Sequence, residues 1–256
     1  MQFIPRDKVE WKQVRYIKTP LGGEDHTAKW SYTFKLPVPL ADWDVFSYWE
    51  RERIESMEKH LSKGMVLYDV GTEQGWLNLA YAKMVGPSNI FLIEPTQEFW
   101  PNIKATWEEN FGDKMPLGTF SGLMGDQITT GKHGAYSDGW PTCADGDLID
   151  RNSYTYIHDN AASVSQSTID VAASIFKKPD AITIDVEGAE LLVLQGAHDV
   201  LRDYRPKIWV SIHPDLGLRD YGMQDGDVHA YLGQWGYKGE HLHTDHEEHW
   251  FFEVKE

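Results

Sequence analysis

Short apolar runs, bounded by glycine or charged residues, recur along the chain from residue 64 onward. A run of about four to eight apolar residues is typical of a strand that is buried on both faces of a parallel sheet. Five such strands are predicted, over residues 65–71, 89–95, 117–123, 181–185 and 207–213.

Between these runs, apolar residues recur at the spacing of an amphipathic helix. This pattern predicts helices over residues 43–62, 76–85, 99–110 and 189–201. In the first helix, Arg51 and Arg53 alternate with glutamates, which is typical of a solvated outer face. Strands alternating with helices predict a doubly wound α/β sheet with right-handed crossovers. Residues 231–255 predict a short helix and two further strands around a polar turn, which adds an antiparallel C-terminal strand.

Two segments interrupt the alternation. Residues 1–45 are aromatic and broken by proline and glycine, so we expect an irregular N-terminal cap or extension. The remaining residues, 46–256, form the main domain. Within it, the stretch at about 126–165 lacks periodicity, which is typical of a lid or substrate loop. The aromatic residues of this loop are candidate platforms for a sugar ring: Tyr136, Trp140, Tyr154 and Tyr156.

The composition indicates which binding partners and which cellular compartment to expect. The 256 residues carry 24 basic and 40 acidic side chains, a formal charge of −16, which argues against a nucleic-acid partner. Cys143 is the single cysteine, so an intrachain disulfide is impossible and a reducing compartment fits. The N-terminus has no apolar signal region and no apolar run approaches about 18 residues. We therefore expect a cytoplasmic protein with no membrane partner.

The predicted strands end in residues that carry chemistry. In an open α/β sheet, ligands bind beyond the carboxyl ends of the strands. Four of these ends hold carboxylates or imidazole, in the stretches Asp69–Gly75, Glu94–Pro95, Asp185–Gly188 and His213–Asp215. This concentration predicts a binding site at that edge of the sheet.

The first two strand ends indicate a cofactor. Asp69, Gly71 and Gly75 form an Asp-x-Gly-x-x-x-Gly turn in which glycine allows a ligand to approach the backbone closely. This is not the Gly-x-Gly-x-x-Gly of nicotinamide enzymes, which disfavours an oxidoreductase. Glu94 follows 25 residues after Asp69, where a carboxylate can accept both ribose hydroxyls. A ribose-bearing cofactor with positive charge, S-adenosyl-L-methionine, satisfies both features.

The fourth strand end, Ile184–Ala197, includes the stretch Asp-Val-Glu-Gly-Ala-Glu. With Asp69–Gly75, Glu94–Pro95, Ser167–Asp170 and Ile212–Pro214, it resembles the FkbM family of S-adenosylmethionine-dependent O-methyltransferases over residues 64–250. Residues 49–53 and 246–249 resemble members carried by actinobacterial phages, which would place the protein in a host cytoplasm. The resemblance implies the Rossmann-like sheet of class I methyltransferases.

The predicted cofactor-binding residues are those of the first two strand ends, namely Asp69, Gly71, Glu73, Gly75, Trp76, Glu94 and Pro95. The chain departs from the family at Glu73, where a small residue or asparagine is usual, and at Ser211, where glutamate is usual. Two roles are open for Glu73. It can hold the ammonium and sulfonium of the cofactor, or face solvent at a helix N-terminus, where the helix dipole favours a carboxylate.

Methyl transfer to a hydroxyl requires that the hydroxyl lose its proton. A general base or a divalent metal can achieve this. Asp185 and His213, with Asp215 beside them, are expected to converge at the methyl group and are the candidate catalytic residues. Their placement resembles the metal ligands of catechol-type O-methyltransferases. His249 opens a run that is expected to pair beside the fifth strand, so Asp185, His213 and His249 are the candidate ligands for Mg²⁺ or Mn²⁺.

The histidines can also have purely structural roles. His213 can simply cap its strand, and the run His241, His243, His246 and His249 is also typical of a solvated hairpin.

The sequence therefore predicts an S-adenosylmethionine-dependent O-methyltransferase. It is expected to act on a hydroxyl of a sugar or glycan, with a divalent metal as a candidate aid. The acceptor is a small molecule or glycan. The alternative is a non-catalytic module that uses the same fold to bind a nucleotide or a glycan.

Overall fold

The predicted strands form the parallel centre of a larger sheet. The computed structural model describes residues 3–17, 31–37, 50–150, 163–224 and 226–255. The strands within these ranges are β1 (Phe3–Ile4), β2 (Trp11–Ile17), β3 (Ser31–Pro37), β4 (Leu67–Val70), β5 (Ile90–Ile93), β6 (Gly118–Phe120), β7 (Leu123–Met124), β8 (Tyr136–Ser137), β9 (Leu148–Ile149), β10 (Gln166–Ser167), β11 (Ala181–Ile184), β12 (Lys207–Ile212), β13 (Tyr237–Thr244) and β14 (Glu248–Val254).

Eight of these strands form one sheet, in the order β13-β14-β12-β11-β4-β5-β6-β8. The five strands from β12 to β6 are parallel, and every residue of β4, β5 and β11 is buried. Burial on both faces explains why these strands are mostly apolar rather than alternating, with Asp69 and Thr183 as the polar exceptions. β14 runs antiparallel to β12 and pairs with β13 as a hairpin. The predicted fold class, a mostly parallel sheet with an antiparallel C-terminal strand, is confirmed.

Helices cover both faces of this sheet. They are α1 (Arg51–His60), α2 (Leu77–Val85), α3 (Trp100–Phe111), α4 (Ile169–Ile175), α5 (Glu190–Gln195), α6 (His198–Asp203), α7 (Pro214–Leu216) and α8 (Asp227–Gln234), with a π-helical turn at Gly217–Tyr221 and 3-10 turns at Arg6–Lys8, Pro87–Asn89, Gln97–Phe99 and Thr142–Asp145. One core lies between the sheet and α1–α3, and a second between the sheet and α4, α5, α6 and α8. Among the described residues, no helix has the length and apolarity that a membrane crossing requires.

Three predicted elements differ from the structure. The first helix is observed from Arg51, and residues 43–49 lie outside the described ranges. The helix predicted over 189–201 is divided into α5 and α6 at Gly196, where a Cβ would lie 1.9 Å from the carbonyl oxygen of Gly125. The strand predicted over 117–123 ends at Phe120, and the chain then pairs β7 with β10 outside the main sheet.

The N-terminal segment and the loop pack against the main domain. β1 pairs with β9, β2 pairs with β3, and the Asn110 side chain of α3 bonds to both backbone polar groups of Lys35 in β3. The described part of the loop contributes β8 to the edge of the sheet. Tyr136 of β8 packs on Phe120, and Trp140 packs on Trp107 of α3, so both belong to the hydrophobic layers rather than to a sugar platform. Tyr154 and Tyr156 lie outside the described residues.

Candidate functional site

A cavity of about 770 Å³ opens at the carboxyl ends of the parallel strands. Each of the four strand ends singled out in the sequence contributes to its wall, through Gly71, Glu94, Asp185 and His213. This is where the topology of an open α/β sheet places ligands.

The glycine turn after β4 holds two strand ends against each other. Gly71 has φ +88°, and a Cβ built on it would lie 1.7 Å from the carbonyl oxygen of Asp185. Gly75 has φ +80°, and its Cβ would approach Ile103 of α3 to 3.1 Å. Only glycine therefore allows the turn after β4 to lie against the end of β11 while α2 packs on α3.

Glu94 is a buried carboxylate at the end of β5. Its Oε2 accepts a hydrogen bond from the backbone N–H of Glu73 at 2.8 Å, and its Oε1 accepts one from Thr96 at 2.7 Å. Burial raises the pKa of Glu94 to about 7, although both backbone bonds oppose the rise. Since a carboxylate offers about four lone-pair sites, each oxygen keeps an acceptor site for a further hydroxyl.

Asp69 lies in β4 with its carboxylate buried in the wall of the cavity. The Thr72 hydroxyl lies 3.3 Å from its Oδ2 and 3.2 Å from its backbone oxygen. Burial raises the pKa of Asp69 to about 7, opposed by Arg53 and Thr72. A cation entering the cavity would favour the ionised form of this group.

The structure brings six of the seven predicted cofactor residues to the cavity. Asp69, Gly71, Glu73, Trp76, Glu94 and Pro95 line it. Gly75, the seventh, instead allows the turn to pack on α3. Glu73 adopts a left-handed backbone conformation, with φ +49°, and faces the cavity. Its position is consistent with a role toward the cationic part of a cofactor.

His213, at the end of β12, lies among acidic groups. Within the described residues, four carboxylates place an oxygen within 4 Å of one of its ring nitrogens. Nδ1 is 2.8 Å from Glu190 Oε1, whereas Nε2 is 3.0 Å from Glu247 Oε2, 3.6 Å from Glu187 Oε2 and 3.9 Å from Asp185 Oδ1. Burial lowers the pKa of His213, but Glu190 and Glu247 outweigh it and raise the pKa to about 11. A protonated His213 cannot serve as a general base.

The surroundings of Asp185 and Glu247 shift the pKa values of these two carboxyl groups in opposite directions. Burial raises the pKa of Asp185 well above its ordinary value, and the nearby Glu247 carboxylate raises it further. Burial also tends to raise the pKa of Glu247, but His213 reverses this and lowers it to about 2. Asp185, His213 and Glu247 each offer one donor atom, all within 4.8 Å of one another, so they could hold a metal ion. Among the described residues, Asp245, His246 and Glu247 in the β13–β14 turn form a second, more exposed group of this kind.

His249 does not take the place predicted for it. Strand β14 pairs it with Ser211, which places its Nδ1 3.1 Å from the Ser211 hydroxyl. Its side chain is 2% exposed and lies behind Glu247, with Nε2 3.7 Å from Glu247 Oε1. Asp185 and His213 do come together, but Glu247 rather than His249 is the third member of the group. The hairpin prediction holds for His241, His243 and His246, which are exposed, and fails for His249.

Asp215 is also placed differently from the prediction. It is exposed on α7, and the part of the chain that the structure describes brings Asp185, rather than Asp215, to the cavity beside His213. The π-helical turn that follows α7 supplies Arg219, Asp220 and Tyr221 to the wall instead.

Arg53 of α1 lines the cavity, and its prediction as part of a solvated face is wrong. It is 3% exposed, and its Nη1 donates to Glu50 Oε2 at 2.8 Å, to Ser211 Oγ at 2.7 Å and to Asp185 Oδ2 at 3.4 Å. Its Nη2 donates to Thr183. A buried guanidinium is stable only with such partners, and Ser211, the other departure from the family, is one of them.

Comparisons with known proteins bear on this site. The profile of the family described as Methyltransferase FkbM domain matches residues 69–238, about two thirds of the chain. The matched range begins at Asp69 and includes Asp185 and His213, whereas Glu247 and His249 lie beyond it. No curated protein matches the chain in sequence.

Solved structures are similar in fold at low sequence identity. Trm1 from Pyrococcus horikoshii, in complex with S-adenosyl-L-methionine, has a TM-score of 0.50 at 15% identity, over 87% of this chain and 59% of that one. The FkbM methyltransferase from Methylobacillus flagellatus has a TM-score of 0.47 at 14% identity, over 75% of this chain and 44% of that one. The chain thus spans less than half the length of that relative. The first of these likenesses supports the fold alone.

Proposed function

Because this chain belongs to the FkbM family of methyltransferases, we propose that it transfers the methyl group of S-adenosyl-L-methionine to a hydroxyl of a sugar or glycan. A fold alone does not fix a reaction. The proposal therefore rests on the cavity, which combines the glycine turn and Glu94 with the group formed by Asp185, His213 and Glu247.

Glu94 carries the assignment of the cofactor. Both of its oxygens are held by backbone N–H groups and each keeps acceptor capacity, so it is prepared to accept the two ribose hydroxyls. Asp69 and Glu73 add negative charge to the same wall, which suits the ammonium and sulfonium groups of the cofactor. Trp76 supplies an apolar surface beside them.

The acceptor is proposed to be uncharged and rich in hydroxyls. Asp185 and Glu187 line the cavity, and their carboxylates would repel a phosphorylated acceptor, whereas they can accept hydrogen bonds from sugar hydroxyls. The ring of Tyr221 offers a flat surface in the same wall. The net charge of −16 is consistent with a non-nucleic-acid acceptor.

Asp185 and His213 are proposed to act on the acceptor. Transfer from a sulfonium is an in-line displacement, so alignment of the hydroxyl and removal of its proton are what the protein must supply. Because Glu190 and Glu247 raise the pKa of His213, we assign the role of base to Asp185, which lines the cavity beside His213. A divalent metal bound beside Asp185 is a second means of lowering the pKa of the hydroxyl.

The first test is a calorimetric titration with S-adenosylmethionine and S-adenosylhomocysteine, followed by a methyl-transfer assay on a panel of glycosides. We expect binding of both compounds and transfer to a glycoside. Asp185→Asn should abolish turnover while retaining the fold, and the exposed Asp215→Asn is the matched control. Absence of binding refutes the proposal. Binding without transfer to any compound favours the non-catalytic module, and preferential transfer to tRNA contradicts the acceptor class.

A further inference from the structure

We propose that Asp185, His213 and Glu247 bind one divalent cation of the Mn²⁺ and Mg²⁺ class, with Glu187 as a fourth ligand. The binding of the cation stands on the geometry of these side chains. Its role in activating the acceptor hydroxyl rests on the function proposed above.

The distances from His213 Nε2 to the carboxylate oxygens suit a common ion. With bonds of about 2.1 Å, neighbouring ligand atoms of an octahedral ion lie about 3 Å apart and opposite ones about 4.2 Å apart. Measured from His213 Nε2, the carboxylate oxygens lie at 3.0 Å for Glu247, 3.6 Å for Glu187 and 3.9 Å for Asp185. All three lie between these two limits.

Glu247 provides an independent observation. Its side chain is 4% exposed, and its Oε2 is buried without a hydrogen-bond partner among the described residues. This oxygen lies 3.0 Å from His213 Nε2, yet the two atoms do not have the alignment of a hydrogen bond. A buried carboxylate oxygen is costly without a partner. The two atoms form an ion pair when the ring is protonated. When the ring is neutral with its hydrogen on Nδ1, both atoms are acceptors, and they are then arranged like two ligands of one ion.

Glu190 prepares His213 to be a ligand. Its Oε1 accepts from the backbone N–H of Gly188 at 2.9 Å and lies 2.8 Å from His213 Nδ1. Binding of a cation would release the proton from Nε2 and keep the hydrogen on Nδ1. The lone pair of the neutral ring then lies on Nε2, which is the nitrogen that faces the other carboxylates. A carboxylate behind the second nitrogen is the usual companion of a metal-bound histidine. Glu190, which is itself buried, is therefore a positioning residue.

The charge of the group favours a cation. Asp185, Glu187, Glu190 and Glu247 surround one imidazole, and the nearby Arg53 divides its guanidinium between Asp185, Glu50 and two hydroxyls. One imidazolium does not balance four carboxylates in a partly buried site. Three oxygen ligands and one imidazole suit Mn²⁺ particularly well, and Mg²⁺ is the competing ion.

The test is a titration of the full chain, first treated with EDTA and dialysed, with MnCl₂. Calorimetry and the electron paramagnetic resonance signal of free Mn²⁺ report binding independently of activity. We expect one Mn²⁺ per chain, in the presence or absence of S-adenosylhomocysteine. His213→Gln and Glu247→Gln should abolish binding, and Glu190→Gln should weaken it about 10–100-fold. The exposed His198→Gln and Asp215→Asn are the matched controls and should bind as the parent chain does.

The outcomes separate this inference from the proposed function. No Mn²⁺ binding, with S-adenosylmethionine binding intact and methyl transfer undiminished by EDTA, overturns the metal site and leaves the methyltransferase. Binding that survives His213→Gln but is lost in Asp245→Asn also overturns it, since the ion would then lie in the β13–β14 turn. If one variant fails to fold by circular dichroism, the remaining two decide the result.

Discussion

Replacing Gly71 with alanine tests whether the close approach of the β4 turn to Asp185 builds the site. The new Cβ would lie 1.7 Å from the Asp185 carbonyl oxygen, whereas an unstrained contact of carbon with oxygen is about 3.3 Å. The two backbone segments must therefore separate by roughly 1.5 Å. Because Asp185 N donates to Val70 O at 2.9 Å, this movement would displace the candidate catalytic carboxylate.

The expected loss in the free energy of unfolding is the sum of backbone strain and overpacking. A side chain at φ +88° costs about 1–2 kcal/mol. Overpacking against backbone adds about 1–3 kcal/mol, so Gly71→Ala should reduce the free energy of unfolding by about 2–5 kcal/mol. Gly64→Ala is the matched control, since Gly64 has φ +91° but a Cβ there meets no described atom within 4 Å. It should cost only about 1–2 kcal/mol, because its conformational strain is the same.

The comparison is made by urea unfolding and by steady-state turnover on the same preparations. The entropy that alanine removes from the unfolded chain is common to both variants and cancels. A displacement of about 1 Å can cost roughly 100-fold in rate, so Gly71→Ala should lose that much turnover while Gly64→Ala retains it. If the two variants have equal free energies of unfolding within about 0.5 kcal/mol and equal turnover, the close approach of Gly71 to Asp185 does not build the site.

Three further predictions follow from buried charges. Burial raises the pKa of Asp69 and of Glu94 to about 7, so the free energy of unfolding of the ligand-free chain should fall as pH rises from about 4 through 7. The affinity for the cofactor should instead increase from about pH 6 to 8, with proton release in calorimetry, because the cofactor binds the ionised carboxylates. An affinity that does not change with pH would contradict this. Glu94→Gln should weaken S-adenosylmethionine binding about 10–100-fold, with the exposed Glu98→Gln unchanged; equal affinities would exclude Glu94 as the ribose acceptor. Arg53→Ala should destabilise the fold by about 3–5 kcal/mol in urea, whereas Arg51→Ala should cost under about 1 kcal/mol; equal costs would contradict the buried network.

The fold could be predicted because its strands are buried on both faces. β4, β5 and β11 are apolar at every position or nearly so, which periodicity reveals directly. A short edge strand such as β8 forms only because a neighbouring strand is available to pair with it. Two residues are also too few to show a recognisable pattern of apolar and polar positions. The division of the helix at Gly196 was missed for a related reason, since the contact with Gly125 is between distant parts of the chain.

The site residues that the sequence predicts correctly are those whose position is determined by the topology of the sheet alone. Strand ends meet at one edge of a parallel sheet, so Asp69, Glu94, Asp185 and His213 converge. Arg53 was missed because a charged residue between glutamates on a helix has the pattern of solvated surface. Glu247 could have been found from the antiparallel pairing of Ile212 with Glu248, which places the preceding residue beside His213.

The central claim is transfer of a methyl group from S-adenosylmethionine to a hydroxyl of a sugar. It is tested most directly by incubating the full chain with S-adenosylmethionine labelled with ¹³C in the methyl group and a panel of glycosides, followed by NMR of the products. We expect one new methyl ether on a glycoside carbon, formed with the parent chain and absent with Asp185→Asn. Label on nitrogen or carbon, or a product that forms equally well with Asp185→Asn, would contradict it.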